Sequence, residues 1–398
     1  MRVLVLDTIH GGSVIASALR TQGHTVDCVD VYRGEEGIDQ DTAFSRQYSC
    51  CIAPVHLDPA HPLLHAGHTI ITHHQAVGIL IGSDPPHPMI EITGARGKTT
   101  TAWALASLMT GPGILHTSSG TSVYPEQRIS GRSGITPASL LEPAQKARSI
   151  NGWFIGECSL GVSGRGDLGI LTSAGDYTIA RNKKSALAAK LEHLKTCRTL
   201  LLPDGIQRKD HPDQHTVSDI AVCNGTTMTY DYNGTCGSFD NPLLSLQGYR
   251  EPLLTATAAA CLLSIDPFPL GSFEALPGRM RSSTKDGCLI VDASNSGTTR
   301  HTTIEAARYA RQMWPGALLH LVIGQDEHAV CENFPMSEIE HAILEVQPDW
   351  LTVVSRDHNP DLLCRHPGSF AASSLDEAVH SSDKKPDTIL LLAVKTWR

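Results

Sequence analysis

Residues 90–101 read IEITGARGKTTT, an apolar strand pattern that runs into a glycine-containing loop and then into a helical stretch. Glycines let backbone N–H groups converge on phosphate oxygens, and the start of a helix adds partial positive charge. Lys98 is placed to reach the outer phosphates of a nucleotide, and the Thr99 hydroxyl can bind magnesium. The spacing departs from G-x-x-x-x-G-K-[ST], because Ile92 stands where the first glycine would be. The segment predicts a phosphate-binding loop formed by Gly94, Ala95, Arg96, Gly97, Lys98, Thr99 and Thr100.

The composition of the 398-residue chain is that of a globular protein, with 41% hydrophobic and 18% charged residues. This length is enough for roughly two or three domains with cores of their own. The formal net charge of -9 argues against a nucleic-acid partner, since a phosphate polymer would be repelled over most of the surface. No apolar run approaches the roughly 20 residues that a bilayer span needs. We therefore expect a cytoplasmic protein with no membrane partner.

An alternating pattern of strands and helices restarts twice along the chain. It opens with a strand over 2–7, a helix over 13–21 and a second strand over 24–31, a βαβ-like start. Proline-rich and Leu-Pro-Gly stretches mark the restarts. Two stretches, 111–134 and 210–240, are interpreted as turn-rich insertions. The predicted N-terminal, central and C-terminal domains, all α/β, cover residues 1–86, 87–277 and 278–398.

The shortened T-G-x-x-G-K-T-T loop, which begins at Thr93 behind a small βαβ segment, resembles that of the Mur ligase superfamily. Later segments match the same family in the same order over nearly the whole chain. The resemblance implies a Rossmann-like N-terminal domain, a central P-loop ATPase domain and a Rossmann-like C-terminal domain. It also implies an ATP- and Mg²⁺-dependent ligase, which converts a carboxylate into an acyl phosphate and lets a nucleophile displace the phosphate.

Two segments of the central domain resemble the metal site of that family. The FIGECS segment around Glu157 is similar to a strand end whose glutamate holds magnesium, which prefers hard oxygen ligands. Lys190 ends an Ala-Ala-Lys segment similar to one whose lysine is carbamylated in many members, which would make it a further metal ligand. A solvated acid and a solvated helix lysine are the alternatives. The Asp-His pair of the family appears here as Asp176 and Tyr177, so one imidazole is missing.

The C-terminal domain carries segments that resemble the remaining nucleotide contacts of the family. Arg279 ends an L-P-G-R segment similar to the hinge whose arginine reaches the phosphates and assists catalysis. The DASNSG segment, 292–297, resembles a turn that meets the ribose and the γ-phosphate region, which implies Asp292 and Asn295 as nucleotide contacts. Asn295 stands where many members have His or Lys. Lys395 lies near the position of the lysine in the last motif of the family.

The opening segment LDTIHGGS, residues 6–13, resembles the D-x-x-H-G-G start of one Mur-like branch, the coenzyme F(430) synthetases of methanogenic archaea. The resemblance implies a small-molecule nickel tetrapyrrole substrate, with the nickel carried by that substrate. A propionate side chain would be activated by ATP and would close a carbocyclic ring by intramolecular C-acylation. Gly11 and Gly12 would offer N–H groups to a peripheral carboxylate. His10 would contact the macrocycle, approach the nickel or move a proton; in the alternative, all three residues only shape a turn.

Two other functions are compatible with the same residues. A Mur-like amide ligase would join an amino acid or ammonia to a carboxylate, and its need for an amine would distinguish it from a ring-closing enzyme. A nucleotide-regulated carrier of the macrocycle would bind ATP without turning it over. The sequence leaves open the oligomeric state, a homodimer included, and the group that removes the proton from the attacking carbon.

Overall fold

A computed structural model of the chain shows an α/β protein, as predicted. It describes residues 1–34, 36–131, 134–208, 210–295, 297–326, 334–355, 369–382 and 385–396. The chain divides into two compact units, Met1–Phe273 and Glu274–Arg398. The predicted boundaries after residues 86 and 277 stay predictions.

The first unit begins with a four-stranded parallel sheet in the spatial order β2-β1-β3-β4. Its strands are β1 (Arg2–Leu6), β2 (Thr25–Val29), β3 (Cys50–Ala53) and β4 (Thr69–Thr72). The helices of this segment are α1 (Ser13–Thr21), α2 (Gln40–Phe44) and α3 (His73–Ile81). The predicted strand, helix and strand at the start of the chain are confirmed, and the two strands are shorter than predicted.

An eight-stranded sheet follows in the order β14-β13-β10-β5-β9-β6-β7-β8. Its strands are β5 (Met89–Thr93), β6 (Gly113–Thr117), β7 (Gly120–Tyr124), β8 (Arg128–Ser130), β9 (Trp153–Glu157), β10 (Leu168–Leu171), β13 (Thr199–Leu202) and β14 (Gln214–Thr216). All five residues of β5 are buried, as in a central strand covered on both faces. β5 pairs in parallel with β9 and β10, so the carboxyl ends of these three strands meet at one edge.

The remaining elements of the first unit surround this sheet. The helices are α4 (Lys98–Leu108), α5 (Leu141–Ser149), α6 (Ala186–Leu194) and α7 (Gln247–Leu262). A short antiparallel hairpin consists of β11 (Thr178–Ile179) and β12 (Lys184–Ser185). A three-stranded antiparallel sheet consists of β15 (Ala221–Asn224), β16 (Thr227–Tyr232) and β17 (Thr235–Asp240). The prediction of turn-rich insertions was therefore wrong. Residues 221–240 contain many Thr, Gly and Asn residues, which favour a prediction of turns, but they form strands that bury one face, with Met228, Tyr230 and Phe239 inside.

The N-terminal sheet and the central sheet share one hydrophobic core. Residues of β1 and α1, such as Val5 and Ile15, belong to the same buried cluster as Met89, Ile114 and Phe154 of the central sheet. Because apolar area is removed from water on both sides at once, the cluster stabilises the two sheets together. This shared core explains why residues 1–273 form one compact unit.

Glu91 is a fully buried carboxylate in the middle of β5. Its oxygens accept N–H bonds from Ser163 at 2.7 Å, Arg165 at 3.0 Å and Gly166 at 2.9 Å. Burial raises the pKa of Glu91, and these hydrogen bonds oppose that rise. The carboxylate thereby fixes the loop that leads from β9 into β10.

The second unit contains a six-stranded sheet in the order β18-β19-β23-β20-β21-β22, parallel except for the β18–β19 pair. Its elements are β18 (Arg281–Lys285), β19 (Cys288–Asp292), α8 (Arg300–Met313), β20 (Leu318–Gln325), α9 (Met336–Val346), β21 (Trp350–Val354), β22 (Phe370–Ala372), α10 (Leu375–Ser381) and β23 (Thr388–Lys395). Among the described residues, no helix combines the length and the apolar character that crossing a bilayer requires.

Gly113 of β6 provides a test of the packing of the central sheet. A Cβ atom at this position would lie 2.1 Å from Cδ2 of the buried Trp153 ring on the neighbouring strand. We expect Gly113→Ala to lower the free energy of unfolding by about 1–3 kcal/mol, because the ring has no room to retreat. Gly131→Ala, where an added Cβ meets nothing within 4 Å, is the matched control and should change stability by no more than about 0.5 kcal/mol. Urea unfolding of both variants measures the difference, and equal stability would contradict the packing described.

Candidate active site

The glycine-containing loop connects β5 to α4 at the carboxyl edge of the central sheet. Gly94 has φ +152°, and a Cβ atom there would lie 2.1 Å from Thr172 Oγ1. Gly97, the residue before α4, has φ +82°, a left-handed conformation that favours glycine. The loop thus needs glycine at both positions, which allows backbone N–H groups to lie next to a bound anion.

The end of β10 holds this loop in place. Ser173 Oγ accepts hydrogen bonds from the backbone N–H groups of Ala95 at 3.0 Å and Arg96 at 3.2 Å. Thr172 Oγ1 donates to the carbonyl oxygen of Arg96 at 2.5 Å. Lys98 Nζ donates to the carbonyl oxygen of Gly94 at 3.2 Å, so its ammonium group lies beside the loop. The predicted loop residues are therefore ordered around a compact turn, with Thr100 buried in the first turn of α4.

Glu157 lies at the end of β9 and is 2% exposed. Its Oε2 accepts a hydrogen bond from Thr99 Oγ1 at 2.8 Å and another from the backbone N–H of Ser118 at 3.2 Å. Its Oε1 lies 3.8 Å from Lys98 Nζ. The structure thus brings together three predicted site residues, and the carboxylate and hydroxyl oxygens are hard donors of the kind that magnesium prefers.

Lys190 is buried in α6, with 1% of its surface exposed. Its Nζ has no hydrogen-bond partner among the described residues and lies 4.5 Å from the centroid of the Tyr177 ring. Burial first, and then the charge of Lys98, lower the pKa of this amine to about 8, while Asp176 opposes the change. The alternative of a solvated lysine was therefore wrong. An amine with this pKa is about a tenth neutral at pH 7, against roughly 0.03% for an ordinary lysine.

The Asp176-Tyr177 pair orders the start of α6. Asp176 accepts hydrogen bonds from the Leu187 N–H at 2.9 Å and from Ser185 Oγ at 2.7 Å. The pKa of Asp176 is lowered chiefly by the first of these bonds. Tyr177, which occupies the sequence position of the missing imidazole, covers the Lys190 amine with the face of its ring. The lysine amine thus lies beside an aromatic surface.

Gly11 and Gly12 form part of a helical turn, Thr8–Gly12, between β1 and α1. A Cβ atom on Gly11, whose φ is +98°, would lie 2.7 Å from the Cβ of Ala138. On Gly12 it would lie 1.8 Å from the carbonyl oxygen of Asp7. Both glycines therefore have a packing role in the turn, and their contact with a substrate stays a prediction.

Asp7 and His10 form a hydrogen-bonded pair in this turn. The Asp7 side chain is fully buried, and its Oδ1 accepts N–H bonds from Ile9 at 2.9 Å and His10 at 3.2 Å. Its Oδ2 lies 2.7 Å from His10 Nδ1 and 3.8 Å from His56 Nε2. Asp7 has φ 74° and ψ 99°, an uncommon backbone conformation that costs about 1–3 kcal/mol and persists where surrounding bonds impose it.

A cavity of about 250 Å³ lies beside this pair and is lined by four histidines, His10, His56, His73 and His74. Ser159 also lines it, and its carbonyl oxygen lies 2.8 Å from His74 Nε2. Ser159 follows Glu157 by two residues, so their Cα atoms are at most about 7.6 Å apart. The cavity therefore adjoins the site formed by Lys98, Thr99 and Glu157.

The remaining predicted residues lie in the second unit. Asn295 Nδ2 donates to the carbonyl oxygen of Gly278 at 2.6 Å, which ties its turn to the L-P-G-R segment that ends at Arg279. Asp292, at the end of β19, accepts the Ser294 N–H at 3.1 Å. Ser296 of the same motif lies outside the described residues. The predicted nucleotide contacts of Arg279, Asp292 and Asn295 stay predictions.

Five polar residues near these sites were not assigned a role from the sequence. Asp7 could have been found from its D-x-x-H spacing, because residues three apart share one face of a helical turn. His73 and His74 follow directly after β4, at the edge where the carboxyl ends of parallel strands meet. The sequence holds no local signal for His56 or Ser173, whose contacts are made across the fold.

The fold is shared with Mur ligases of known structure. The chain aligns with a UDP-N-acetylmuramoylalanyl-D-glutamyl-2,6-diaminopimelate D-alanyl-D-alanyl ligase from Acinetobacter baumannii at a TM-score of 0.58 and 12% identity, covering 96% of this chain and 94% of that one. A UDP-N-acetylmuramate-alanine ligase from Thermotoga maritima gives 0.53 and 12%, with 99% and 96% covered. A MurF ligase from the same organism, solved in complex with ADP, gives 0.51 and 13%, with 89% and 87% covered. The predicted three-domain Mur-ligase-like architecture is confirmed.

Sequence comparison identifies one relative that is similar over the whole chain and one family model that matches its C-terminal part. The chain is 28% identical to a coenzyme F(430) synthetase from Methanosarcina acetivorans over 473 aligned positions, covering 100% of this chain and 99% of that protein. Residues 282–396 match the model of the family described as coenzyme F430 synthetase CfbE, C-terminal domain. The chain has the fold of the Mur ligases and is similar over its full length to coenzyme F(430) synthetase. The resemblance drawn from short motifs is thereby confirmed.

The lowered pKa of Lys190 generates a prediction, because carbon dioxide adds only to the neutral amine. With ¹³C-labelled bicarbonate at pH 8, the protein should show the carbonyl resonance of a lysine carbamate. Below a pKa of about 8 the neutral fraction falls about tenfold per pH unit, so without other stabilisation the resonance should weaken steeply towards pH 6. The resonance should be absent in Lys190→Met and retained in Lys195→Met, which alters an exposed lysine close by in the chain. An equal signal in both variants would contradict the assignment.

Proposed function

We propose that the chain is an ATP-dependent coenzyme F(430) synthetase. It would phosphorylate a propionate side chain of the nickel-containing seco-precursor, and a carbon of the macrocycle would then displace the phosphate to close a carbocyclic ring. The products would be the closed macrocycle, ADP and phosphate. The full-length similarity to coenzyme F(430) synthetase carries this proposal, and the histidine-lined cavity, whose lining includes Ser159 two residues after Glu157, supports it.

The residues around the loop fit a nucleotide with its magnesium ion. Lys98 would neutralise the outer phosphates, and the glycines would let backbone N–H groups approach them. Thr99 and Glu157 would hold magnesium through their hard oxygens, which are already within 2.8 Å of each other. When bound, the ion reduces the repulsion between the phosphates and the substrate carboxylate. The Thr99–Glu157 bond keeps both oxygens at one place.

Lys190 fits the role of a carbamylated lysine in this site. Its amine is buried, lacks a hydrogen-bond partner among the described residues and has a pKa of about 8. Addition of carbon dioxide would replace a costly buried cation with an anion. That anion would face the charge of Lys98 and could bind the metal in place of the imidazole that the family has at Tyr177. The proposal also assigns Arg279, Asp292 and Asn295 to the nucleotide.

The cavity beside Glu157 would receive the reacting edge of the substrate. Its volume of about 250 Å³ is below the roughly 300–1,000 Å³ of clefts that enclose whole drug-sized ligands. A tetrapyrrole would therefore place only one edge in it, with the propionate directed past Ser159 towards Glu157. Gly11 and Gly12 would lie next to this edge, while His10 lines the cavity itself. Because the side chain is tethered to its nucleophile, holding one conformation gives a large rate advantage.

Glu157→Gln tests whether the proposed metal site needs the negative charge of Glu157 or only the shape of its side chain. The amide retains the size of the side chain but loses the negative charge, so we expect a higher magnesium requirement and a turnover of ATP at least about 10–100-fold lower. Glu142→Gln, on the exposed side of α5, is the matched control and should behave as wild type. ADP formation measured across a magnesium titration gives both quantities. An unchanged magnesium dependence in Glu157→Gln would contradict its role as a ligand.

Ring closure should need no second substrate besides ATP. In amine-free buffer with magnesium, the protein should convert the seco-precursor into a product lighter by one water, with one ADP and one phosphate per ring. The mass of the product and the ADP count measure this directly. A product that forms only when an amine is present, and that gains the mass of the amine, would show an amide ligase instead. ATP binding without turnover would show a carrier protein.

A further inference from the structure

We propose that His10 is the general base that removes the proton from the attacking carbon, and that Asp7 is the positioning residue that orients it. This assignment rests on the proposed ring-closing function. Removal of that proton is required because the carbon that forms the new bond must lose hydrogen to restore its valence. Nothing in the phosphate loop supplies a base on the macrocycle side of the cavity.

The geometry of the pair leaves one nitrogen of His10 available to take a proton. The ionised carboxylate of Asp7 can only accept, so His10 Nδ1 donates to Oδ2 across 2.7 Å. This bond fixes the neutral tautomer in which Nε2 carries the lone pair. Nε2 has no hydrogen-bond partner among the described residues, and the His10 side chain is 46% exposed where it lines the cavity. The outer nitrogen therefore carries an unused lone pair and is reachable from the cavity.

The surroundings hold the ring and stabilise the charge that it gains. His10 packs edge-on against Tyr32, at 5.4 Å between ring centroids, and against His56 at 4.8 Å. Tyr32 and His56 stack on each other at 5.7 Å, which limits rotation of the His10 ring. When Nε2 takes a proton, the imidazolium lies in contact with a fully buried carboxylate, where the attraction is weakly screened.

The other histidines of the cavity are poorer candidates. His73 Nε2 bonds the carbonyl oxygen of Leu6, and His74 Nε2 bonds that of Ser159, so these nitrogens are engaged. Burial lowers the pKa of His73 to about 4 and lowers that of His74 well below its ordinary value. Burial also lowers the pKa of His56. His10 is the half-exposed member of the four, and it alone among them bonds Asp7 directly.

The proposed step balances without an oxidant or a reductant. His10 Nε2 takes the proton from the attacking carbon, and the electron pair of the broken C–H bond forms the bond to the carbonyl carbon of the acyl phosphate. The bond from that carbonyl carbon to the phosphate oxygen breaks, and its electron pair leaves with inorganic phosphate. Solvent or the departing phosphate afterwards takes the proton from the imidazolium.

The test measures ADP release and ring closure separately in wild type, His10→Ala and His10→Gln, the second of which keeps the side-chain size. Removal of the base should lower ring closure by about 100-fold or more. ADP release should stay within a few-fold of wild type, because the acyl phosphate still forms and is hydrolysed by water. His65→Ala, which alters an exposed histidine bonded to the Pro59 carbonyl, should leave both rates unchanged. Asp7→Asn should shift the pH profile of ring closure without abolishing ADP release.

The outcomes distinguish this inference from the function on which it rests. If wild type forms no ring from the seco-precursor, the proposed function is wrong and the assignment of the base falls with it. If wild type closes the ring and His10→Ala closes it equally fast, the base assignment alone is wrong. Equal losses of ADP release and ring closure would show a binding role instead. Asp7, His10 and His56 bring one ligand atom each within 4.8 Å, so a divalent ion retained by wild type and lost in His10→Ala would also overturn the assignment.

Discussion

Parallel pairing of β5 with β9 and β10 is the constraint on which the candidate site depends. The register places Ile92 beside Glu157 and Thr93 beside Leu171, so the three strands end at nearly the same level. Residues separated by more than sixty positions in the chain thereby meet at one edge of the sheet. A shift of the pairing by one residue would turn Glu157 to the other face and separate it from Thr99.

Four buried ionisable groups differ in how fully the protein satisfies their hydrogen bonds. Glu91 accepts three backbone N–H groups and also lies 4.0 Å from the Cys197 thiol, and it fixes a loop. Asp7 is similarly satisfied but directs one oxygen at a half-exposed histidine. Glu157 accepts a hydroxyl that can itself bind an ion, and Lys190 lacks any hydrogen-bond partner among the described residues. Among these four groups, those with fewer hydrogen bonds to the protein are the ones better able to interact with a ligand.

Local patterns in the sequence predicted those parts of the fold that local patterns determine. The apolar run of β5, the glycines and the start of α4 lie within one continuous segment, and so do β1, α1 and β2. The polar strands β15–β17 were missed although β16, TMTYDY, alternates as expected of a strand with one buried face. The burial of Lys190 and the grouping of His10 with His56 arise from contacts between distant segments. Motifs in the sequence identified Lys190 and His10 but not His56, and the surroundings of all three are visible only in the folded chain.

The bond between Ser173 and the phosphate loop affects how the loop can respond to different anions. Its hydroxyl oxygen accepts the N–H groups of Ala95 and Arg96, so the shape of the loop is held by a bond within the protein. An anion that binds these two N–H groups must displace the Ser173 hydroxyl. The net binding free energy is therefore the difference between the N–H bonds to the anion and the N–H bonds to the hydroxyl. A weak acceptor gains little from this exchange, whereas a multiply charged phosphate gains much more. With the proposed function, this one serine would impose a threshold of acceptor strength that favours nucleotide phosphates over carboxylates.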